Sequence, residues 1–280
     1  MPVLRFARFR LPALLLTAPL LGTSSPERNP PPPAAAPTEL VIVGTVHRPT
    51  RLFNPDSVAA ILARVQPELI LVELDSSFFT PTFELKTPGR ENEDLGLARY
   101  RRLHPAVRLR PFDIEGRNEF HRRHQLLTRP GEVLAQLDAL YQSRQLTPAQ
   151  GTILDRYYAL TDSLNRCNQQ QPAVINQPGT YALAERRQHY QFQQLRDVVA
   201  ARPELIEYHA FYRLYADFWD QRNQAMARHI RQHLARLRPR RVVVLVGHAH
   251  KYYLLRELAS HAAAEDFRLR EYYQLAPAGL

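Results

Sequence analysis

One short phrase occurs twice in this chain, and it constrains the fold more than any other feature. Val41-Ile42-Val43-Gly44-Thr45-Val46-His47 lies near the start, and Val244-Leu245-Val246-Gly247-His248-Ala249-His250 near the end. Each is an apolar, β-branched run, which reads as a buried strand, followed by Gly, two residues and His. A Gly at that point allows a sharp backbone departure, so that the His emerges past the carboxyl end of its strand. In open α/β sheets that edge is where ligands bind. Two such imidazoles on neighbouring strands could share one metal or one substrate.

The remaining segments fit an α/β sheet. Strand one covers Leu40 to Val43. A helix follows over about 55–65, with Asn54 as N-cap and Pro55 at the first helical position. Leu69 to Leu74 reads as a second strand, 92–103 as a helix, and Val107 to Phe112 as a third strand. Val242 to Val246 is the fourth strand, followed by a helix over 251–264 and a last strand over 267–274. Residues 118–237 are helical and polar in pattern, with breaks near Pro130, Pro148, Pro172 and Pro203. The expected fold class is therefore α/β: a small, mostly parallel sheet with a large helical insertion between its N- and C-terminal parts.

Residues 1–25 read as a secretory signal. Arg5, Arg8 and Arg10 precede the apolar run Leu11 to Leu21, and small residues follow. The alternative is an uncleaved apolar tail, which would keep the protein near a membrane. No Cys follows Leu20-Leu21-Gly22, which argues against a lipoprotein anchor. Residues 26–38 are a Pro/Ala-rich linker, and 39–280 form the folded domain. The expected location is exported, periplasmic or extracellular. The net charge of +10 admits an acidic partner. Only Lys86 and Lys251 are lysines, however, and the arginines are spread along the chain, so no specific nucleic-acid binding is expected. The single cysteine, Cys167, excludes an intrachain disulfide and a Cys-based zinc site.

Several residues can carry chemistry. His47 and His250 end the two phrases, and imidazole both binds divalent metals and titrates near neutrality. His248 lies beside His250, either as a further ligand or as part of the turn. Glu73 ends an apolar strand, where a buried carboxylate needs a metal, an Arg or hydrogen bonds to offset its desolvation. Asp113 ends strand three on the same edge, with a turn-forming role as its alternative. Arg222 falls inside the apolar stripe Phe211, Tyr215, Phe218, Met226 and Ile230. A guanidinium there must pair with an acid or a substrate carbonyl, or snorkel toward Asp217 or Asp220. His121 and His124 lie three apart amid arginines, which reads as a solvated face. Among nucleophile and phosphate motifs there is no Gly-x-Ser-x-Gly, no phosphate-binding loop and no His-Glu-x-x-His.

Taken in order, Gly44 to His47, Val72-Glu73-Leu74-Asp75, Arg222-Asn223-Gln224-Ala225-Met226 and Gly247 to His250 resemble the motifs of the TraB/GumN group, which includes the Tiki-type proteases. The resemblance implies an exported, metal-dependent hydrolase acting on peptide or amide bonds, with a peptide or small-molecule substrate. It implies a divalent ion (manganese, cobalt or zinc) on His47, Glu73 and His250, with His248 as a possible addition. Glu73 or Asp113 would serve as general base, and Arg222 as oxyanion stabiliser. Related ChaN-like proteins imply a different outcome, haem or metal binding without catalysis. A non-catalytic signalling or interaction module is a third.

Overall fold

A computed structural model describes residues 36–275; the segment read as a signal and most of the segment read as a linker lie outside the described residues. The framework is a five-stranded sheet, all parallel. Its strands are β1 (Thr38–Thr45), β2 (Leu69–Val72), β3 (Arg108–Pro111), β4 (Arg241–Gly247) and β5 (Phe267–Arg270), in the order β3-β2-β4-β1-β5. The two phrases of the repeat are therefore neighbours, in register from Glu39 against Arg241 to Thr45 against Gly247. The α/β fold class is as the sequence implies.

Alternation along the strands builds two cores. Val41, Val43, Ile70, Val72, Val243 and Leu245 face one side. There they meet the buried faces of α1 (Pro55–Val65) and α2 (Asn92–Leu103). Leu40, Ile42, Leu69, Leu71, Val242 and Val244 face the other. Those residues pack on the C-terminal half of α9 (Ile206–Leu237) and on α10 (His248–Ala259). Helix α1, leaving β1, and helix α10, leaving β4, thus cover opposite faces. Between them at the carboxyl ends of β1 and β4 lies the crevice that such a crossover creates.

Between β3 and β4 the chain is helical throughout, as expected. It runs through α3 (Arg117–Arg123), α4 (Arg129–Gln142), α5 (Pro148–Cys167), α6 (Pro172–Ile175), α7 (Pro178–His189), a π-helical turn (Tyr190–Gln194) and α8 (Leu195–Ala200) into α9. This region has its own core, in which Val133, Leu137, Leu154, Leu195 and Val199 meet Tyr208, Phe211 and Phe218. Helix α9 is 32 residues long and belongs to both cores. Its first half packs in the insertion, and its second half, from Met226 to Leu234, packs on the sheet.

Some boundaries differ from the sequence reading. Strand β2 stops at Val72, so Glu73 is the first residue beyond it. Helix α10 begins at His248 and not at Lys251, because the chain turns from strand to helix directly at Gly247. The last strand ends at Arg270, followed by a 3-10 turn over Tyr272–Gln274. Gly44 lies inside β1, one residue before its end.

Candidate functional site

The glycines of the repeat work by close approach and not by unusual dihedrals; Gly247 has φ −53°. A Cβ at Gly247 would lie 3.1 Å from Nε2 of His47 and 3.5 Å from Oε2 of Glu73. One at Gly44 would lie 3.1 Å from Cα and Cβ of His248. Each glycine thus makes room for a histidine of the other phrase. His47, Glu73, Arg222, His248 and His250 all line one pocket of about 520 Å³, together with Asn168 and Gln169 from the insertion. Asp113 does not line it.

Arg222 is the centre of the charged groups, and it sits where the two halves of α9 change partners. Its Nε donates to Oδ1 of Asp113 at 2.9 Å and its Nη2 to Oδ2 at 2.8 Å, a bidentate pair. Nη2 also donates to Oε1 of Glu73. Nη1 donates to Nε2 of His250 at 3.1 Å. The acids at the ends of β2 and β3 therefore hold this guanidinium, and Asp217 and Asp220 do not. Asp113 is 1% exposed and fully engaged: Arg117 Nη1 donates to it at 2.9 Å, and the Ile114 N–H at 2.8 Å. Its role is to hold Arg222 in place.

The protonation states follow from this network. Burial opposes charge on Glu73, yet Arg222 foremost, then His47 and the Gly247 N–H at 2.5 Å, hold its carboxyl below the ordinary range. Burial, then the charge of Arg222, pushes His250 well below its ordinary value. Neutral His250 donates from Nδ1 to Oδ1 of Asn223 at 2.8 Å, and Asn223 Nδ2 donates to the Trp219 carbonyl at 2.8 Å. This fixes the tautomer and leaves Nε2 as the acceptor of Arg222. The ring also stacks on Trp219, with centroids 4.2 Å apart. Burial, followed by the charge of His47, pushes His248 down to about 4, and its Nδ1 is buried without a partner.

Among the described residues, the set whose ligand atoms lie within 4.8 Å of one another is His47, Glu91 and Glu93. Nδ1 of His47 donates to Glu93 Oε1 at 2.5 Å and lies 3.1 Å from Glu91 Oε2. These bonds, to Glu91 and then to Glu93, raise His47 to about 11. Glu93 is 6% exposed, and its second oxygen, Oε2, is buried with no partner. Such an oxygen costs free energy unless something binds it. By contrast, Nε2 of His250 already accepts from Arg222, and both oxygens of Glu73 accept hydrogen bonds. A metal on His47, Glu73 and His250 would require Arg222 to move aside.

Sequence reasoning missed several residues. Glu91 and Glu93 precede and open α2 in a stretch that looks uniformly polar. The second group is Lys251, fully buried, with Nζ donating to Glu271 Oε2 at 2.7 Å and to Asn176 Oδ1 at 2.9 Å. Asn176 also pairs with Gly44 like a neighbouring strand, accepting from its N–H at 2.7 Å and donating to its carbonyl at 3.0 Å. It thereby ties the insertion to β1. His121, expected on a solvated face, is half-buried against Phe218, and burial foremost, then Arg222, pushes it down to about 4.

These features define a parallel α/β protein with a charged pocket at the carboxyl edge of its sheet. No family model matches the chain, and neither a curated protein nor a solved structure does. No described helix is long and apolar enough to cross a membrane.

Proposed function

We propose that the carboxyl-edge pocket is the catalytic pocket of a hydrolase for peptide or amide bonds, with a divalent ion at its border on His47, which lines it, and on Glu91 and Glu93, which do not. The observation that carries this reading is the buried, partnerless Oε2 of Glu93 beside an imidazole and a second carboxylate. One nitrogen and two carboxylates suit manganese, cobalt or zinc. When bound there, the ion would polarise a carbonyl and lower the pKa of a coordinated water. Arg222 contributes a fixed, buried positive charge toward which an oxyanion can develop. Glu73 stays ionised at the pocket wall and orients Arg222, and neutral His250 fixes the third edge of the guanidinium. Gly247 keeps the floor open for His47.

The resemblance to the TraB/GumN group supports a hydrolase and favours His47, Glu73 and His250 as ligands, with His248 as an addition. The hydrogen bonds of Arg222 to Glu73 and His250 favour the His47–Glu91–Glu93 set. Metal content of the purified full chain separates them. Near-stoichiometric divalent metal that is lost in Glu93→Gln and kept in His250→Ala supports the His47–Glu91–Glu93 set. Loss in His250→Ala alone moves the ion to the other set. No metal in the wild type after supplementation overturns both, and a haem band would favour the ChaN-like alternative. With metal established, a peptidase and amidase screen with that ion tests the hydrolase activity. Export, with a substrate met outside the cytoplasm, belongs to the same proposal and is tested by cell fractionation.

A further inference from the structure

A second cavity, of about 290 Å³, is lined by residues of the helical insertion, Arg222 among them. Arg222 and no other residue lines both this cavity and the carboxyl-edge pocket. Its walls are Leu126, Phe192, Tyr215, Phe218 and Trp219, with Leu127 at 82% exposure. Phe192 stacks on Trp219 at 4.9 Å and meets Tyr215 edge-on at 4.9 Å, so the wall is a fixed aromatic cluster. Phe192 reaches it from the π-helical turn, whose Gln191 carbonyl accepts from Tyr212 Oη at 2.9 Å. Single π-turns of this kind re-aim side chains and recur at functional sites.

Of the polar side chains that line the cavity, Arg187, Gln188 and Gln191 are hydrogen-bonded within the insertion, and His121 packs edge-on against Phe218. Arg187 donates from Nη1 to Gln188 Oε1 at 2.7 Å and also to Gln191, from Nη2 to Tyr157 Oη at 2.9 Å, and from Nε to Thr161 at 3.3 Å. Gln191 Nε2 donates to Tyr215 Oη at 2.7 Å. The charge of Arg222 is matched by Asp113 and Glu73. Arg187 meets only neutral partners, so the fit of the cavity to an apolar group rests on its aromatic and aliphatic wall. The volume sits at the lower end of ligand pockets and suits one large side chain, not a whole ligand.

We propose that this cavity is a specificity subsite, which receives one aromatic or branched aliphatic side chain of an amide substrate whose reacting bond lies at Arg222. The substrate class is then a peptide or acyl amide with a large apolar group next to the bond that is cleaved. The assignment of the reacting bond rests on the hydrolase reading above; the affinity of the cavity for an apolar side chain does not.

The test uses the full chain after chelation of metal, so that binding is read without turnover. The chain has one tryptophan, Trp219, so a single indole N–H resonance reports the cavity wall. N-acetyl-phenylalaninamide and N-acetyl-leucinamide are titrated beside N-acetyl-glycinamide. The expected result is a shift of that resonance by the first two at about tenfold or more lower concentration than by the third, the low end of what an apolar pocket discriminates. Trp219 also borders a neighbouring cavity that Phe218 and Leu127 do not line, so the location is tested by Phe218→Ala and Leu127→Glu. Several-fold weaker binding in either supports the assignment. Leu127 is exposed, so its variant stays informative even if Phe218→Ala does not fold. Equal shifts by the glycine and phenylalanine probes, or a shift unchanged in Leu127→Glu and any folded Phe218→Ala, overturn the proposal. If the probes bind as expected and the chain holds no metal, the subsite stands and the metal reading falls. If metal is bound and the probes do not discriminate, the reverse holds.

Discussion

Replacing Arg222 by Met should cost about 3–5 kcal/mol of folding stability, the range for breaking a buried ion pair by removing one partner. The volume of the side chain is nearly kept, so the cost is electrostatic. Arg222 is 8% exposed and donates to Asp113, Glu73 and His250. Without it, Asp113 keeps Arg117 and the Ile114 N–H, but Glu73 keeps the Gly247 N–H as its main buried partner. The loss should therefore depend on pH in a defined direction. In the wild type the carboxyl of Glu73 is held below its ordinary value, so its contribution is present above about pH 4.3 and fades as pH falls through the folded value. In Arg222→Met burial prevails and that pKa rises above the unfolded one. The variant's deficit should then shrink as pH falls from 8 to 5. Urea unfolding at both pH values reads the difference. Adding Glu73→Gln should recover part of the loss at pH 8, since a neutral amide needs no countercharge. A deficit below about 1 kcal/mol, or one that grows toward pH 5, would refute this account of what holds the guanidinium.

Four further expectations concern neighbouring groups. Asn176→Ala orphans the N–H and carbonyl of Gly44 and one contact of Lys251; it should cost about 2–4 kcal/mol by urea unfolding, as buried unsatisfied groups do. Burial pushes Lys251 down to about 8. The folded state therefore binds fewer protons than the unfolded one between about pH 8 and 10.4, and wild type should gain stability relative to Lys251→Met as pH rises through that window. Imidazole resonances of His47 in metal-free protein should show a charged ring well above pH 8. Glu91→Gln should lower its pKa, and the stability it confers, present below about pH 6.5, should fade as pH rises through the folded value. Gly247→Ala should displace His47 and cost about 1–3 kcal/mol, the usual penalty of overpacking, with metal affinity reduced in the same variant.

How legible these features were in the sequence depends on the physical signal each one carries. Buried parallel strands announce themselves as β-branched runs, so β1, β2 and β4 were readable, and with them the edge on which Glu73 lies. Arg222 was readable because a charge inside an apolar stripe violates a helical pattern, and the structure resolves its alternatives in favour of the strand-end acids. Glu91 and Glu93 break no pattern. They lie in a polar run whose burial is decided by where α2 docks against His47, a tertiary event without a local trace. Lys251 stands at the start of an expected helix, where nothing in the sequence marks it as buried. Its burial depends on Asn176 and Glu271, 75 and 20 residues away. Boundaries failed for a related reason: the strand β4 passes into α10 at Gly247 with no loop, and periodicity cannot locate a junction that has no residues of its own.

The position of Arg222 along α9 explains why one residue can link the two cavities. From Tyr208 to Phe218 the helix belongs to the core of the insertion, and from Met226 onward it belongs to the sheet. Between those segments the helix faces neither apolar core, and a polar residue there is free of the packing that would exclude it. The strand-end acids Glu73 and Asp113 then come from the sheet, while Trp219 and Phe218, one turn earlier, come from the insertion side. This joint is one tie between the insertion and the sheet, beside that of Asn176 to β1: Arg222, Asn223 and Trp219 bond or stack with His250 from three points of the same helix.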